Sequence, residues 1–183
     1  DKAVLVTDRA FGNADTLATS YSILSAAGTQ GSYDMIFCGR ESLDGATGQM
    51  GAQLAERFEM AQVTSTRLIK EVDEENGTVI VDRALDNGTE TLEVKLPCLF
   101  TIEKTNYPAR IPNLKGKMAA KKAEIIKITS EDIPGLDKRR IGDPGSPTKV
   151  PRMFPPVLPE PGQIIDGADT KDKVSKLFKL IRR

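Results

Sequence analysis

The chain has 183 residues, of which 39% are hydrophobic, and 26 Lys and Arg residues balance 26 Asp and Glu residues. This length and composition predict one globular domain with an appendage, and the zero net charge argues against a general nucleic-acid or membrane-surface binder. Because the sequence has no histidine, Ser-His-Asp catalysis and His-ligated metal chemistry are excluded within it. If this protein does chemistry, a bound cofactor or a partner chain must therefore supply the reactive group.

The two cysteines, Cys38 and Cys98, each lie in an apolar run typical of a buried strand. They are predicted to be buried free thiols of a reducing compartment rather than a disulfide. No apolar stretch reaches the length of a membrane span, and the sequence opens without a signal-peptide pattern. We therefore expect a cytoplasmic protein with no membrane insertion, no nucleic-acid partner and no metal site.

The first sixty residues contain two strand–loop–helix units. Strand Ala3–Thr7 leads into a helix from about Asp15 to Ala27, and strand Met35–Cys38 leads through loop Gly39–Gln49 into a helix from about Thr47 to Phe58. Crossovers of this kind join parallel strands. We predict that the two loops lie side by side at one edge of a parallel sheet, where helix N-termini form a crevice suited to phosphate groups.

The middle of the chain changes to the two-residue period of β-strands. The alternating runs are Val63–Val72, Thr78–Leu85 and Thr91–Leu96. The turn dipeptides Asn76-Gly77 and Asn87-Gly88 separate them, which predicts an antiparallel meander. Residues 98–102 then return as a core strand.

Prolines dominate the last third of the chain. A short basic helix at Asn113–Lys122 and a strand at Glu124–Ile128 come first, and from Ser130 the sequence predicts an extended arm. The final helix, about Thr170–Arg183, has an apolar stripe that favours docking on a partner chain over packing on its own domain. We expect an α/β nucleotide-binding domain over 1–129 and an arm with its helix over 130–183.

The two loops have a plain and a functional interpretation. Asp and Thr cap helices in any strand–helix unit, and Asn13 or Asp15 could cap the first helix, Thr47 the second. The second loop favours a ligand more strongly, because its eleven residues include three glycines and exceed the usual length of such a connection. Neither loop carries the dinucleotide fingerprint or the Walker lysine.

Four segments together resemble the beta subunit of the electron-transfer flavoproteins. They are DRAFGNADTLATSY (8–21), CGRESLDGATGQMG (38–51), RIPNLKGKMAAKKAEI (110–125) and GDPGSPTKV (142–150). The resemblance covers nearly the whole chain, and it implies a Rossmann-like, parallel-sheet adenine-nucleotide-binding domain with an extended Pro-rich C-terminal arm that embraces an alpha subunit. Because the family begins with a further strand–helix–strand portion, we expect the N-terminal part of the domain to lie outside this sequence.

The resemblance also implies the residues of the site. The expected cofactor-binding residues are Ala14, Asp15, Thr16 and Thr19 in the first unit, and Gly39, Arg40, Glu41, Ser42, Asp44, Gly45, Ala46, Thr47, Gly48 and Gln49 in the second. Arg40 is expected near the flavin ring. The expected partner-recognition residues are Thr105, Asn106, Tyr107, Pro108 and Arg110. The family's Asn-Glu-Pro-Arg run is absent from this loop, which leaves open a flavin dehydrogenase other than an acyl-CoA dehydrogenase.

The branch of the family that the chain resembles implies the identity of the cofactor. The segment DTLATS, residues 15–20, resembles the electron-bifurcating and related anaerobic or nitrogen-fixation branch, which favours FAD over AMP and an anaerobic bacterium or archaeon as the source. In that branch NADH reduces the FAD, and electrons pass to ferredoxin and, through the FAD of the alpha subunit, to a flavin dehydrogenase. The alternatives are a housekeeping beta subunit with structural AMP, and a non-redox nucleotide-binding regulatory module.

Overall fold

The computed structural model describes residues 2–104, 107–159 and 161–182. The chain divides into two compact units, Asp1–Lys149 and Val150–Arg183. The helices of the first unit are α1 (Thr16–Gly28), α2 (Met50–Arg57) and α3 (Leu114–Lys122). Its strands are β1 (Val4–Val6), β2 (Met35–Gly39), β3 (Ala61–Asp73), β4 (Thr78–Leu85), β5 (Gly88–Lys95), β6 (Cys98–Ile102) and β7 (Ile126–Ile128). The second unit contains α4 (Thr170–Ile181).

The main sheet has five strands in the order β2-β6-β3-β4-β5. Strands β2, β6 and β3 are parallel, and β3, β4 and β5 form an antiparallel meander. The mixed α/β class and both predicted hairpin turns are confirmed, although β5 begins at Gly88 instead of Thr91 because Gly88 already pairs with Leu85. One face of the sheet packs around Val63, Val81 and Phe100, all nearly inaccessible to solvent.

Helix α2 covers the other face of the main sheet. Leu54 and Ala55 pack there against Leu99 of β6. Gly51 brings the helix backbone close to this strand, because a Cβ atom at Gly51 would collide with the Cγ2 atom of Thr101. The start of α2 is thereby fixed above the carboxyl ends of β2 and β6.

Strand β1 lies in a second, two-stranded parallel sheet with β7. Val4 pairs with Ile126 and Val6 with Ile128, and this small sheet shares its core with Ala26 of α1 and Ile133. The prediction of one parallel sheet carrying both loops is therefore wrong for β1. Its partner comes from more than a hundred residues away along the chain, and a strand's own apolar pattern does not specify which distant strand it pairs with.

Residues 130–149 lie in the first unit, although the sequence pattern indicated an extended arm from Ser130. Ile133, Ile141 and Ser146 are buried in this unit. This segment contacts the first loop, which connects β1 to α1. A glycine is required at position 142, because its φ is +55° and a Cβ atom there would overlap the carbonyl oxygen of Ala10 in that loop. This segment is therefore part of the surroundings of the first loop.

The second unit consists of an irregular segment followed by α4. Asp169 caps this helix by accepting a hydrogen bond from the backbone N–H of Asp172 at 2.8 Å. The apolar side chains Val174, Leu177, Phe178 and Ile181 of α4 are exposed. In the described part of the chain, no helix combines the length and the apolar character needed to cross a bilayer.

Candidate functional site

The structure brings the two predicted loops together although their strands lie in different sheets. The Thr16 hydroxyl donates a hydrogen bond to Oε1 of Gln49 at 2.8 Å. It also accepts one from Nε2 of Gln53 at 3.2 Å. Thr16 opens α1, and Gln49 and Gln53 belong to the start of α2. The N-termini of two helices therefore face one crevice.

The N-terminus of α2 differs from those of the other α-helices in the described part of the chain. Its N-cap residue, Gln49, makes no side-chain hydrogen bond to the first turn. The described helices that do have such a side-chain cap are α1, α3 and α4, capped by Asp15, Asn113 and Asp169. The first-turn amides of α2 therefore lack the partner that the others have, and they carry the positive end of a helix dipole.

The sequence placed the start of this helix, with Thr47 as its cap, three residues too early. Helix α2 begins at Met50, because Gly48 has a φ of +63°, which lies outside the helical region. Thr47 is exposed in the loop. For α1 the sequence left Asn13 and Asp15 open, and Asp15 is the residue that caps.

Gln53 presents an unsatisfied acceptor beside these amides. Its Oε1 atom is buried and accepts no hydrogen bond from any described residue, although its Nε2 atom donates to Thr16. A buried acceptor without a donor is costly, and a ligand hydroxyl would satisfy it. Donors at the start of α2 together with this acceptor fit the phosphate and hydroxyl groups of a nucleotide.

Asp15 is committed to holding the first loop. One carboxylate oxygen accepts from the amide of Ala18 and the other from the amide of Thr148, each at 3.0 Å. Burial opposes ionisation, but these backbone hydrogen bonds outweigh it and lower the pKa of Asp15. The amide of Asp15 itself donates to the buried Ser146 hydroxyl at 2.8 Å. Ser146, which the sequence analysis missed, is therefore a positioning residue for this loop.

The other first-unit residues have backbone or packing roles. The amide of Thr19 donates to the carbonyl of Asp15 at 2.9 Å, an early bond of α1. Ala14 and Thr19 are half-buried. Within this group, Thr16 is the residue whose side chain joins the second loop.

The second loop is exposed from Gly39 to Gln49. Ser42 organises it, since its hydroxyl accepts from the amide of Gly45 at 3.3 Å and its carbonyl from the amide of Ala46 at 3.0 Å. The same hydroxyl, followed by the Gly45 amide, lowers the pKa of Asp44. Asp44 thus stabilises the turn, and Ala46 adopts a left-handed φ of 48°. Internal hydrogen bonds therefore hold the turn of this loop.

Arg40 borders a cleft of about 460 Å³ at the carboxyl ends of β2 and β6. Its guanidinium lies 3.4 Å from Glu103 and 3.7 Å from Glu41. Arg67 and Gly48 also line the cleft. Ligands of open α/β sheets bind at this end of the strands. Arg40 and Gly48 are thus the two predicted residues that reach the cleft.

Sequence analysis missed the β3 side of this cleft. Ser65 has a φ of 56° at a register shift between β3 and β6, and its amide donates to the Thr101 hydroxyl at 3.0 Å. This irregularity opens the sheet beside Arg67 and Glu103. The one signal in the sequence is the polar run Thr64-Ser65-Thr66, which interrupts an alternating strand.

The predicted recognition loop is described in part. Tyr107, Pro108 and Arg110 are exposed, and the Tyr107 hydroxyl donates to the carbonyl of Ile69 in β3 at 3.2 Å. Thr105 and Asn106 lie outside the described residues.

Comparison with known proteins identifies relatives along the whole chain. The profile of the electron transfer flavoprotein domain matches residues 1–133. An electron transfer flavoprotein subunit beta from Thermoanaerobacterium thermosaccharolyticum is 42% identical over 180 residues, covering 98% of this chain and 67% of the relative. Protein FixA from Bradyrhizobium diazoefficiens is 34% identical over 92% of this chain and 60% of its own length. The caffeyl-CoA reductase-Etf complex subunit CarD from Acetobacterium woodii is 35% identical over 100% of this chain and 68% of its own length.

The chain accordingly spans about three fifths to two thirds of the length of these curated relatives.

Proposed function

The chain belongs to the electron transfer flavoprotein family, and from that premise we propose that it works as a beta subunit that binds FAD in the crevice between the two loops. It passes electrons between this FAD and the FAD of an alpha subunit. The observation that carries the proposal is the pairing of uncapped amides at the start of α2 with the orphaned Oε1 atom of Gln53.

Different residues of the crevice would bind different groups of the cofactor. The amides of Gly51 and Ala52, in the first turn of α2, would hold phosphate oxygens. Gln53 would accept from a ribose hydroxyl. Bound FAD would supply the electron-transfer chemistry, while the protein sets its position and electrostatics. Arg40 at the neighbouring cleft, which is oriented by its ion pairs with Glu41 and Glu103, would offer its remaining N–H donors to the cofactor.

The finer proposal is a subunit of an electron-bifurcating complex. NADH is then the donor, and ferredoxin and a flavin dehydrogenase are the two acceptors. Two relatives that are subunits of reductase complexes support this proposal. They are CarD, at 35% identity, and an acryloyl-CoA reductase electron transfer subunit gamma from Anaerotignum propionicum, at 37% identity. These names suggest a CoA-thioester reductase as the flavin dehydrogenase partner.

Two other functions compete with this one. A housekeeping beta subunit would hold AMP in the same crevice, since AMP presents the same phosphate and ribose groups. A non-redox regulatory module would bind a nucleotide and carry no flavin. Releasing and quantifying the nucleotides of the purified complex with an alpha subunit separates the three: two FAD per heterodimer, one FAD with one AMP, or no flavin.

The site itself is tested with Gln53→Met, which preserves the length of the side chain and removes its acceptor. We expect the dissociation constant of the nucleotide in this subunit to rise about tenfold, the effect of one lost buried hydrogen bond. The double variant Asp44→Ala/Thr47→Val, which changes the loop before α2, should also weaken binding. Equilibrium dialysis of the complex against labelled nucleotide measures both.

Gln62→Met on the exposed start of β3 is the matched control. It makes the same chemical change away from the crevice and should leave the dissociation constant unaltered. Full nucleotide occupancy in both the Gln53 and the loop variants would show that the nucleotide binds elsewhere.

A further inference from the structure

A second cleft, with a volume of about 330 Å³, is lined by residues of α1, α2 and the segment that follows β7. Its walls are Leu17 of α1, Arg57 of α2, Arg139, Arg140 and the segment Pro144–Pro147. We propose that this cleft is a second anion site, in which Arg57 and Arg140 bind the phosphate group of a small molecule. Its two anion-binding arginines are not part of the nucleotide site proposed above, although Ser146 in its wall also positions the first loop. The proposal therefore stands whether or not a nucleotide binds in the crevice.

Arg57 is held rigidly by neutral acceptors. Its Nε atom donates to the Ser20 hydroxyl at 2.8 Å, and one terminal nitrogen donates to the carbonyl of Leu17 at 3.0 Å. No carboxylate of the described residues forms an ion pair with it. Burial and the nearby charge of Arg140 lower the pKa of Arg57. Its positive charge is therefore fixed in place and uncompensated.

Arg140 reaches the same place by stacking on an aromatic ring. Its guanidinium carbon lies 4.0 Å from the centroid of Tyr21, and that of Arg57 lies 5.7 Å from it. Stacking uses the flat face of the guanidinium and leaves its in-plane N–H donors available. Within the described residues, Arg140 forms no ion pair with a carboxylate, and the nearby Asp137, whose pKa its charge helps to lower, is paired with Arg139. Two oriented guanidinium groups thus lie close to the Tyr21 ring, with N–H donors available for a ligand.

The remaining wall is a rigid turn. The amide of Gly145 donates to the carbonyl of Ile141 at 3.0 Å, and a Cβ atom at Gly145 would overlap the backbone of Arg140. The buried Ser146 hydroxyl donates to the carbonyl of Gly142 at 2.7 Å. The Arg140 backbone is therefore positioned by close packing, which lowers the entropy cost of binding an anion.

The charge balance selects the class of ligand. Two like charges on one ring repel each other, and a dianionic group between them removes the repulsion more completely than a single carboxylate. Phosphate offers two negative charges at neutral pH and several oxygens to the fork of each guanidinium. Arg139 is not assigned to the anion site, because its guanidinium already donates two hydrogen bonds to the carboxylate of Asp137, each at 3.0 Å.

The test is a titration of the full chain with inorganic phosphate at low ionic strength. Arginine Nε–Hε resonances report on each side chain separately. We expect saturable shifts at Arg57 and Arg140. In Arg140→Ala the dissociation constant read at Arg57 should rise at least about tenfold. Arg140 is the preferred site of change because Arg57 also holds α1, so that its loss could disturb folding.

Arg139→Ala is the matched control, a loss of one arginine from the same cleft that should change the dissociation constant less than about twofold. Thr47→Val at the nucleotide loop should leave these shifts intact. Equal, non-saturating shifts at all arginines would overturn the proposal, as would binding abolished by Thr47→Val and retained in Arg140→Ala. Saturation by a poly-glutamate peptide together with no response to phosphate would also overturn it, and would assign the cleft to a protein partner.

Discussion

At the scale of single residues, Asp8 shows how one carboxylate joins distant parts of the chain. Its Oδ1 atom accepts from the amide of Ala10 at 3.0 Å, and its Oδ2 atom accepts from both the amide and the hydroxyl of Ser130. The Ser130 hydroxyl, then the backbone amides, lower the pKa of Asp8 from 3.8 to about 2. Asp8 thereby connects the start of the first loop to Ser130, which follows the end of β7.

This pKa predicts a pH dependence. Because the folded pKa lies below the unfolded value, the stabilisation from Asp8 is complete above about pH 4 and is lost as the pH falls toward about 2. Asp8→Asn should lower the urea midpoint at pH 6, and the difference from the parent chain should shrink below pH 4. Urea unfolding at several pH values measures it. Asp34→Asn, a change of the same charge at an exposed position, is the control, and parallel curves for the two variants would contradict the assignment.

At the scale of elements, the contact of α2 with β6 sets where the proposed phosphate-binding amides lie. Thr101 is a stiff β-branched residue whose hydroxyl is held by the amide of Ser65 at 3.0 Å. It therefore cannot turn away from a methyl group at Gly51 without losing this hydrogen bond. The helix N-terminus depends on a glycine for packing, while its amides remain available.

We expect Gly51→Ala to destabilise the chain by about 1–3 kcal/mol, the usual cost of overpacking a core contact. Gly28→Ala is the matched control, since a Cβ atom at Gly28 meets nothing within 4 Å. It should be neutral or stabilising by up to about 1 kcal/mol, because alanine favours the helix. Chemical denaturation gives both values. Equal effects of the two substitutions would contradict the close contact between Gly51 of α2 and Thr101 of β6.

At the scale of the whole molecule, the exposed stripe of α4 is the feature that the proposed beta-subunit role accounts for. The side chains of Leu177 and Phe178 are 43% and 56% exposed, which is unusual for an amphipathic helix with no partner. We propose that this stripe docks on the alpha subunit.

Phe178→Asp should reduce recovery of the alpha subunit in co-purification by about tenfold or more, because it places a charge in an apolar interface. Lys179→Asp places the same carboxylate on the face of α4 opposite the stripe and should have little effect. The nucleotide content of the first unit should be the same in both variants. If the two variants recover the alpha subunit equally well, the stripe serves another purpose.

The sequence predicted that the two loops lie close together, and the hydrogen bond between Thr16 and Gln49 joins them. The single parallel sheet on which that prediction rested does not include β1, and the cofactor-binding role of these residues stays a prediction. The details were not accessible. Thr47 has the residue type of a cap, but the left-handed φ of Gly48 delays the helix, and the orphaned acceptor of Gln53 depends on packing around it.

The sequence by itself determined the elements, both hairpin turns, the absence of histidine chemistry and the family, because these depend on short-range backbone preferences and residue identity. Only the tertiary structure decided that β1 pairs with β7, that Ser146 holds Asp15 from 131 positions away, and that Arg57 and Arg140 meet over Tyr21. These contacts join residues far apart in the sequence, and no local sequence pattern at either residue identifies its partner. Their free energy comes from packing and desolvation, which exist only once the chain has folded.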